Sequence, residues 1–250
     1  MSTNFKDHFS GHSEDYSNFR PHYPDELFFH LSHQTINHNR AWDCATGTGQ
    51  AAVQLAKYYN KVIATDASDN QVRQASELKN VTYTTAPAEH SGIEDHSIDL
   101  ITVAQALHWF DLDGFAKEVD RVLVDQGVLA VWTYNLLTID PDIDKYIHHL
   151  YSDLLDPYWA PERTLVENGY QDISLPLTEL DVPRFEMNSH WNLRQLIGYL
   201  NTWSAVKKYE TEQHKNPVEV IFQELATAWG DDEQERPIRW PLALRIWRKS

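Results

Sequence analysis

Residues 40–66 read RAWDCATGTGQAAVQLAKYYNKVIATD. A short apolar run, Arg40–Cys44, leads into a glycine-containing loop and then a helix-forming stretch, and a second apolar run over 61–65 ends at Asp66. A strand, a helix and a second strand in this order predict a βαβ unit, with parallel strands and a right-handed crossover. The glycine-containing loop then lies at the carboxyl end of the first strand, where open α/β sheets bind ligands.

The same alternation continues outward along the chain. Further apolar runs occupy residues 81–86, 98–104 and 127–134, and 115–124 form an amphipathic helix. Residues 180–185 resemble a strand, with Pro183 favouring an edge or a bulge.

The chain ends in a segment of alternating apolar residues, from Ile238 to Trp247. No helix follows this segment, so we expect an antiparallel strand. The predicted class is α/β: a Rossmann-like, doubly wound, mostly parallel seven-stranded sheet with an antiparallel C-terminal strand and a small helical cap.

The composition excludes several classes of function. Twenty-one basic and 37 acidic residues give a net charge of −16, which repels a phosphate backbone and argues against nucleic-acid binding. Cys44 is the single cysteine, and the thirteen histidines lack zinc-ligand spacing, so we expect no metal. Because no apolar run suits a signal peptide or a membrane span, we expect a cytoplasmic protein that does not bind membranes.

Acidic residues follow three successive predicted strands. Asp43 lies at the end of the first strand, Asp66 at the end of the second, and Glu89 just beyond the third. A carboxylate after the second strand is well placed to accept both hydroxyls of a ribose. An acidic residue there also commonly caps the next helix or forms an Asx-turn before it, but three such acids favour a ligand.

Two cofactor classes fit this pattern. Residues 47–52, GTGQAA, satisfy the dinucleotide fingerprint with Ala in the last place, which allows a nicotinamide-dependent oxidoreductase. However, Asp43 would repel a pyrophosphate at the start of the following helix. The same carboxylate would attract a cofactor that carries an ammonium and a sulfonium.

The sequence resembles the class I S-adenosylmethionine-dependent methyltransferases over nearly its whole length. The resemblance rests on four segments: DCATGTGQ (43–50), DAS (66–68), APAE (86–89) and AQALHWF (104–110). Residues 16–24 and 199–204 are similar to the trans-aconitate methyltransferase branch of the methyltransferase type 11 group. The resemblance implies methyl transfer from S-adenosylmethionine to a small-molecule acceptor, with a carboxylate or a hydroxyl as the acceptor group.

The resemblance also implies roles for individual residues. The backbone of the glycine loop would line the methionine part of the cofactor, Asp66 would hold the ribose, and the loops after the second and third strands would flank the adenine. The implied cofactor-binding residues come from an N-terminal lid and four strand-end loops: Tyr16, Arg20, Asp43, Ala45, Gly47, Gly49, Asp66, Ala67, Ala88, Glu89, Gln105, Ala106 and Trp109.

Three residues are candidates for contact with the acceptor: Tyr23, His108 and Trp203. His108 is the candidate general base if the acceptor is a hydroxyl, whereas a carboxylate acceptor needs no base. The family usually has Gly where this chain has Ala45, and a positive φ there would strain an alanine. A non-catalytic cofactor-binding module is therefore a further alternative.

The domain prediction follows from these assignments. We expect a single domain over 1–250, because no linker separates two units. Residues 1–36 would form the lid, 37–135 the cofactor-binding half, 136–235 the helical cap and substrate region, and 236–250 the C-terminal strand.

Overall fold

A computed structural model describes residues 21–250 of the chain. These residues form one sheet in the order β3-β2-β1-β4-β5-β8-β6, and β7 also pairs with β8. The strands are β1 (Arg40–Cys44), β2 (Lys61–Asp66), β3 (Val81–Thr85), β4 (Ile98–Ala104), β5 (Leu123–Tyr134), β6 (Thr178–Leu180), β7 (Phe185–Trp191) and β8 (Arg236–Arg248).

Helices cover both faces of this sheet. The α-helices are α1 (Asp25–Gln34), α2 (Gln50–Leu55), α3 (Asp69–Arg73), α4 (Leu112–Val122), α5 (Pro141–His148), α6 (Arg163–Glu167), α7 (Leu193–Asn201), α8 (Ser204–Gln213) and α9 (Val218–Trp229). A 3-10 turn, Leu107–Trp109, follows β4, and a π-helical segment, His149–Leu154, continues α5. Within residues 21–250, no helix is long and apolar enough to cross a membrane.

The core has two layers, one on each face of the sheet. On one face, Phe115 and Val119 of α4 pack with Trp42 of β1. On the other face, Leu27 of α1 packs with Trp132 of β5. Burial on both faces explains why the central strands β1 and β4 are mostly apolar runs, whereas the edge strand β3 is polar and more exposed.

The structure confirms the predicted fold class and corrects its details. Strands β1 to β5 are parallel to their neighbours, and β8 pairs antiparallel with β5, as predicted. The sheet formed by the described residues has eight strands instead of seven, because two strands, β6 and β7, both pair with β8. The strand predicted over 180–185 is wrong: Pro183, which lacks an N–H donor, lies between β6 and β7.

Candidate functional site

The register of the central strands brings three loops to one edge of the sheet. Cys44 of β1 pairs with Thr65 of β2 on one side and with Val103 of β4 on the other. The loops that begin at Ala45 and Asp66, and the one that follows β4, therefore start at nearly the same level. This carboxyl edge is the position at which the sequence predicts a ligand.

The glycine loop has a left-handed backbone at three positions. The φ angles are +55° at Ala45, +56° at Gly47 and +88° at Gly49. A Cβ atom at Gly49 would collide with the hydroxyl of Tyr83, so a side chain there would require the Tyr83 ring of β3 to shift. Ala45 adopts the positive φ that the sequence analysis identified as a source of strain, at a cost of roughly 1–2 kcal/mol.

Asp43 is a buried carboxylate beneath this loop. Its Oδ2 accepts a hydrogen bond of 2.5 Å from Thr46 Oγ1, and its Oδ1 accepts one of 2.7 Å from Thr102 Oγ1. Burial raises the pKa of Asp43 to about 6, and the negative charge of Asp66 adds to this, although the hydrogen bonds from threonine act in the opposite direction. The charge of Asp43 therefore changes close to neutral pH.

Asp66 connects the loops after β1 and β2. Its Oδ2 accepts from the backbone N–H of Gly47 at 2.8 Å, and its Oδ1 accepts from that of Ser68 at 2.9 Å. The side chain that caps α3 is that of Ser68, which accepts from the N–H of Gln71. Asp66 therefore does not cap α3, but its bond to the N–H of Ser68, two residues on, is an Asx-turn, the alternative that the sequence also allows. The same carboxylate lies beside the glycine loop, with Ala67 next to it.

Glu89 fixes the loop after β3 to the beginning of α4. Its Oε1 accepts a hydrogen bond of 2.9 Å from the backbone N–H of Asp111. Gly114 leaves room for this contact, because a Cβ there would lie 3.0 Å from Glu89 Cγ. Ala88, beside Glu89, is buried.

The loop after β4 begins with a second strained residue. Gln105 has a φ of +59°, and its Oε1 accepts a hydrogen bond of 2.9 Å from Thr133 Oγ1 of β5. Ala106 is buried, whereas Trp109 is 39% exposed. The side chain of Gln105 thus fixes this turn to β5, and Trp109 is left at the surface of the edge. Sequence reasoning missed the left-handed backbone of Gln105, because it is not a glycine.

His108 lies in the 3-10 turn, beside Trp109. Its Nδ1 is 2.9 Å from the hydroxyl of Tyr170, and its ring centroid is 4.6 Å from that of Trp109. Burial and the positive charge of Arg163 lower the pKa of His108 to about 4, so the imidazole is neutral at neutral pH. Tyr170 and Arg163 were missed from the sequence, because both are distant in the chain and neither belongs to a local motif.

The N-terminal candidates have different outcomes. Tyr16 and Arg20 lie outside the described residues. The described chain begins next to the glycine loop, where Gln50 Nε2 donates to the carbonyl of Pro21 at 3.0 Å. The ring of Tyr23 packs edge-on against Trp132, with the centroids 5.4 Å apart, and is buried in the core.

Trp203 belongs to an aromatic cluster that we define as Tyr151, Trp159, Tyr199 and Trp203. Its ring centroid lies 5.8 Å from that of Tyr151, 5.7 Å from that of Trp159 and 5.9 Å from that of Tyr199. Trp203 is buried by these contacts, and Tyr151 comes from the π-helical segment. The cluster lies in the region predicted as the cap.

The described strand-end loops have the chemistry for a cationic cofactor with a ribose. They combine a buried carboxylate at Asp43, a second carboxylate at Asp66 and a glycine with a left-handed backbone at Gly49. No group of three or more His, Cys, Asp or Glu side chains in residues 21–250 is arranged to hold a metal ion.

Comparisons with known proteins identify the family. The family model "Methyltransferase domain" matches residues 42–131. A provisionally named methyltransferase of Dictyostelium discoideum is 36% identical over 99% of this chain and 97% of that protein. A provisionally named S-adenosylmethionine-dependent methyltransferase of Saccharomyces cerevisiae is 22% identical over 95% of each chain.

A solved structure agrees with these sequence relatives. It is that of a provisionally assigned type II methyltransferase from Anaeromyxobacter dehalogenans, with a TM-score of 0.87 and 40% identity, covering 92% of this chain and 98% of the other. These matches favour a methyltransferase over the nicotinamide-dependent oxidoreductase that the dinucleotide fingerprint also allowed. With its glycine loop, strand-end carboxylates and sheet order, the chain belongs to the class I S-adenosylmethionine-dependent methyltransferases.

Proposed function

We propose that this methyltransferase acts on a small molecule and methylates an oxygen of a carboxylate or a hydroxyl. The observation that carries the proposal is the position of His108. The turn that bears it, Leu107–Trp109, ends β4 at the cofactor edge and packs against α6 of the aromatic-rich cap region. An acceptor bound at this junction would contact side chains of both the turn and α6, an arrangement that favours a small molecule.

S-adenosylmethionine, when bound, supplies a methyl group already activated on a sulfonium, so the protein has mainly to position the acceptor and exclude water. We propose that the backbone of Ala45, Gly47 and Gly49 lines the methionine part and that Asp43 attracts its ammonium group. Asp66, which lies beside the glycine loop, would accept hydrogen bonds from the ribose hydroxyls.

The remaining cofactor contacts are proposed from the other loops. Residues of the loops after β2 and β3 would flank the adenine, and residues after β4 would close the site beside the sulfonium. Trp109, with its partly exposed ring, can present an aromatic face to that cation. The proposed set is Ala67, Ala88, Glu89, Gln105, Ala106 and Trp109, with Tyr16 and Arg20 from the lid.

His108 has a different role for each acceptor group. A hydroxyl acceptor must lose a proton, and His108 is the group at the junction that can take it. However, a pKa lowered to about 4 makes the imidazole a weak base. A carboxylate needs no base, and for such an acceptor a neutral His108 orients the substrate by hydrogen bonding.

The test combines binding with product analysis. We expect calorimetry to show micromolar binding of S-adenosylhomocysteine, about −8 kcal/mol, and no binding of NAD. Mass spectrometry would then follow methyl transfer to matched acids, alcohols and amines, with methyl esters or methyl ethers as the expected products. Preferential methylation of amines contradicts the proposed acceptor class. Binding of S-adenosylhomocysteine without any transfer would instead favour a non-catalytic module.

A further inference from the structure

Arg163 is the first residue of α6, and its position is fixed by the π-helical segment. Its Nε donates a hydrogen bond of 2.8 Å to the hydroxyl of Tyr151. The guanidinium lies over two rings of the aromatic cluster, 4.8 Å from the centroid of Trp159 and 5.3 Å from that of Tyr151. Stacking on two rings restricts the plane of the guanidinium.

Glu167, the acidic residue beside Arg163, already accepts a hydrogen bond from another side chain. Glu167 Oε1 is 4.0 Å from Arg163 Nε, at the limit of an ion pair, and the same oxygen accepts a hydrogen bond of 2.5 Å from the Tyr151 hydroxyl. Within residues 21–250, the two terminal nitrogens of Arg163 make no hydrogen bond, yet the side chain is only 24% exposed. Neither terminal nitrogen of Arg163 is among the buried side-chain atoms that lack a partner, so the fork is open to solvent and can accept an anion.

Two other arginines bind carboxylates through their terminal nitrogens. Arg245 holds both oxygens of Glu179 at 2.8 Å, and Arg121 binds Glu118 and Asp95. Arg163 differs from both in having no carboxylate on its terminal nitrogens among the described residues. Those nitrogens match the spacing of a carboxylate, which guanidinium groups bind in a bidentate manner.

The fork lies close to the junction where the acceptor is expected. Helix α6 packs against the turn Leu107–Trp109, and the charge of Arg163 reaches both His108 and Tyr170 strongly enough to affect their proton affinities. An anion on Arg163 would therefore lie between His108 and the aromatic cluster.

We propose that the terminal nitrogens of Arg163 bind a carboxylate of the acceptor, whose planar or aromatic body packs against the aromatic cluster. The proposal rests on the function proposed above, because it needs an acceptor at the junction of the turn and α6. It makes Arg163 a specificity-determining residue, which selects acids over their uncharged analogues.

The test compares acids with their amides, which differ in charge but little in shape. The probes are benzoate, phenylacetate and 3-phenylpropionate with the corresponding amides, titrated with and without saturating S-adenosylhomocysteine. Binding is followed by calorimetry and by tryptophan fluorescence, since the ring of Trp159 lies against the guanidinium of Arg163. We expect at least one acid to bind tenfold or more tightly than its amide.

Two variants and one control decide whether Arg163 is responsible. Arg163→Gln is expected to abolish the preference for the acid, and Arg163→Lys, which keeps the charge without the fork, to reduce it. Arg184→Gln, at an exposed position, is expected to leave the preference unchanged. The affinity for S-adenosylhomocysteine should remain within twofold in all of these proteins.

The outcomes separate this proposal from the proposed function. Equal binding of acid and amide, binding of neither by the wild type, or an unchanged preference in Arg163→Gln overturns the role of Arg163. If Arg163→Gln does not fold, the wild-type comparison and Arg163→Lys still decide. A clear preference for the acid without methyl transfer would support the carboxylate site and contradict the proposed reaction.

Discussion

Thr102 Oγ1 of β4 donates a hydrogen bond of 2.7 Å to Asp43 Oδ1 of β1, and both side chains are buried. The bond joins two neighbouring parallel strands directly beneath the glycine loop. It favours the ionised carboxylate, but burial outweighs it and raises the pKa of Asp43 to about 6. A cationic ligand bound above Asp43 would favour the ionised carboxylate by electrostatic attraction.

This arrangement predicts a pH dependence of cofactor binding. If Asp43 binds the ammonium of S-adenosylhomocysteine, only the ionised carboxylate is competent, so affinity is lost as the pH falls through about 6. We expect a nearly constant Kd from pH 6.5 to 7 and a loss of up to tenfold per unit between pH 6 and 5, measured by calorimetry.

The control for this prediction is a pair of variants. Asp43→Asn should bind S-adenosylhomocysteine more weakly at pH 7 and without this pH dependence, whereas Asp125→Asn, at an exposed position, should behave as the wild type. A pH profile that Asp43→Asn leaves unchanged would assign the dependence to another group.

The strain at Ala45 predicts that a substitution to glycine stabilises the protein. At a φ of +55°, a Cβ costs roughly 1–2 kcal/mol, so its removal stabilises the folded state. Glycine also increases the entropy of the unfolded chain, which offsets part of this stabilisation. We expect Ala45→Gly to raise the free energy of unfolding by about 1 kcal/mol in urea titrations.

A matched alanine in a helix should show the opposite sign. Ala226 lies within α9, so Ala226→Gly should lower the free energy of unfolding by about 1 kcal/mol. Equal destabilisation by the two variants would mean that the methyl group of Ala45 makes packing contacts that outweigh its strain.

The sequence predicts much of the cofactor half because its signals are local. The bounds of β1 and β4 are as predicted, since each is an apolar run next to polar residues. The strain at Ala45 was predicted from the family resemblance, because the family usually has Gly at this position, and the φ of Ala45 is indeed positive. The strand bounds, in contrast, depend on neighbouring residues alone.

The missed features depend on contacts between distant residues. The hydroxyl of Tyr170 is hydrogen-bonded to His108, which lies 62 positions earlier in the chain. Arg163 comes close to His108 because α6 packs against the turn after β4. Tyr23 lies in the predicted lid region, and the sequence does not reveal that its ring packs on Trp132 of β5. Packing of this kind has no periodicity that a single sequence could reveal.

Asp66 provides a direct test of the ribose assignment. Asp66→Ala should weaken binding of S-adenosylhomocysteine by on the order of 1–3 kcal/mol, because two hydrogen bonds to a charged group are lost. The same change also removes the acceptor for the N–H of Gly47, which would loosen the loop.

Asp66→Asn separates the two effects, since it retains one acceptor oxygen for the loop but has no charge. A binding loss in Asp66→Asn at unchanged thermal stability would support direct contact with the ribose. Unchanged affinity in Asp66→Ala would contradict the assignment.

Removal of the Tyr83 hydroxyl is expected to stabilise the protein. Its Oη is buried without a hydrogen-bond partner among the described residues, and a Cβ at Gly49 would collide with it. Tyr83→Phe should therefore raise the free energy of unfolding by about 1 kcal/mol. Tyr59→Phe is the matched control: its hydroxyl bonds Thr35 Oγ1 at 2.8 Å, so the loss should lower the free energy of unfolding by about 1 kcal/mol.

A double-mutant cycle then connects Tyr83 to the glycine loop. Gly49→Ala should destabilise the protein, because the new methyl group meets the Tyr83 hydroxyl and the φ of +88° disfavours any side chain. In the Tyr83→Phe background the collision is relieved while the backbone strain remains, so Gly49→Ala should cost less there without becoming neutral. Additive effects in urea titrations would show that backbone strain alone, and not the approach of β3, requires a glycine in this loop.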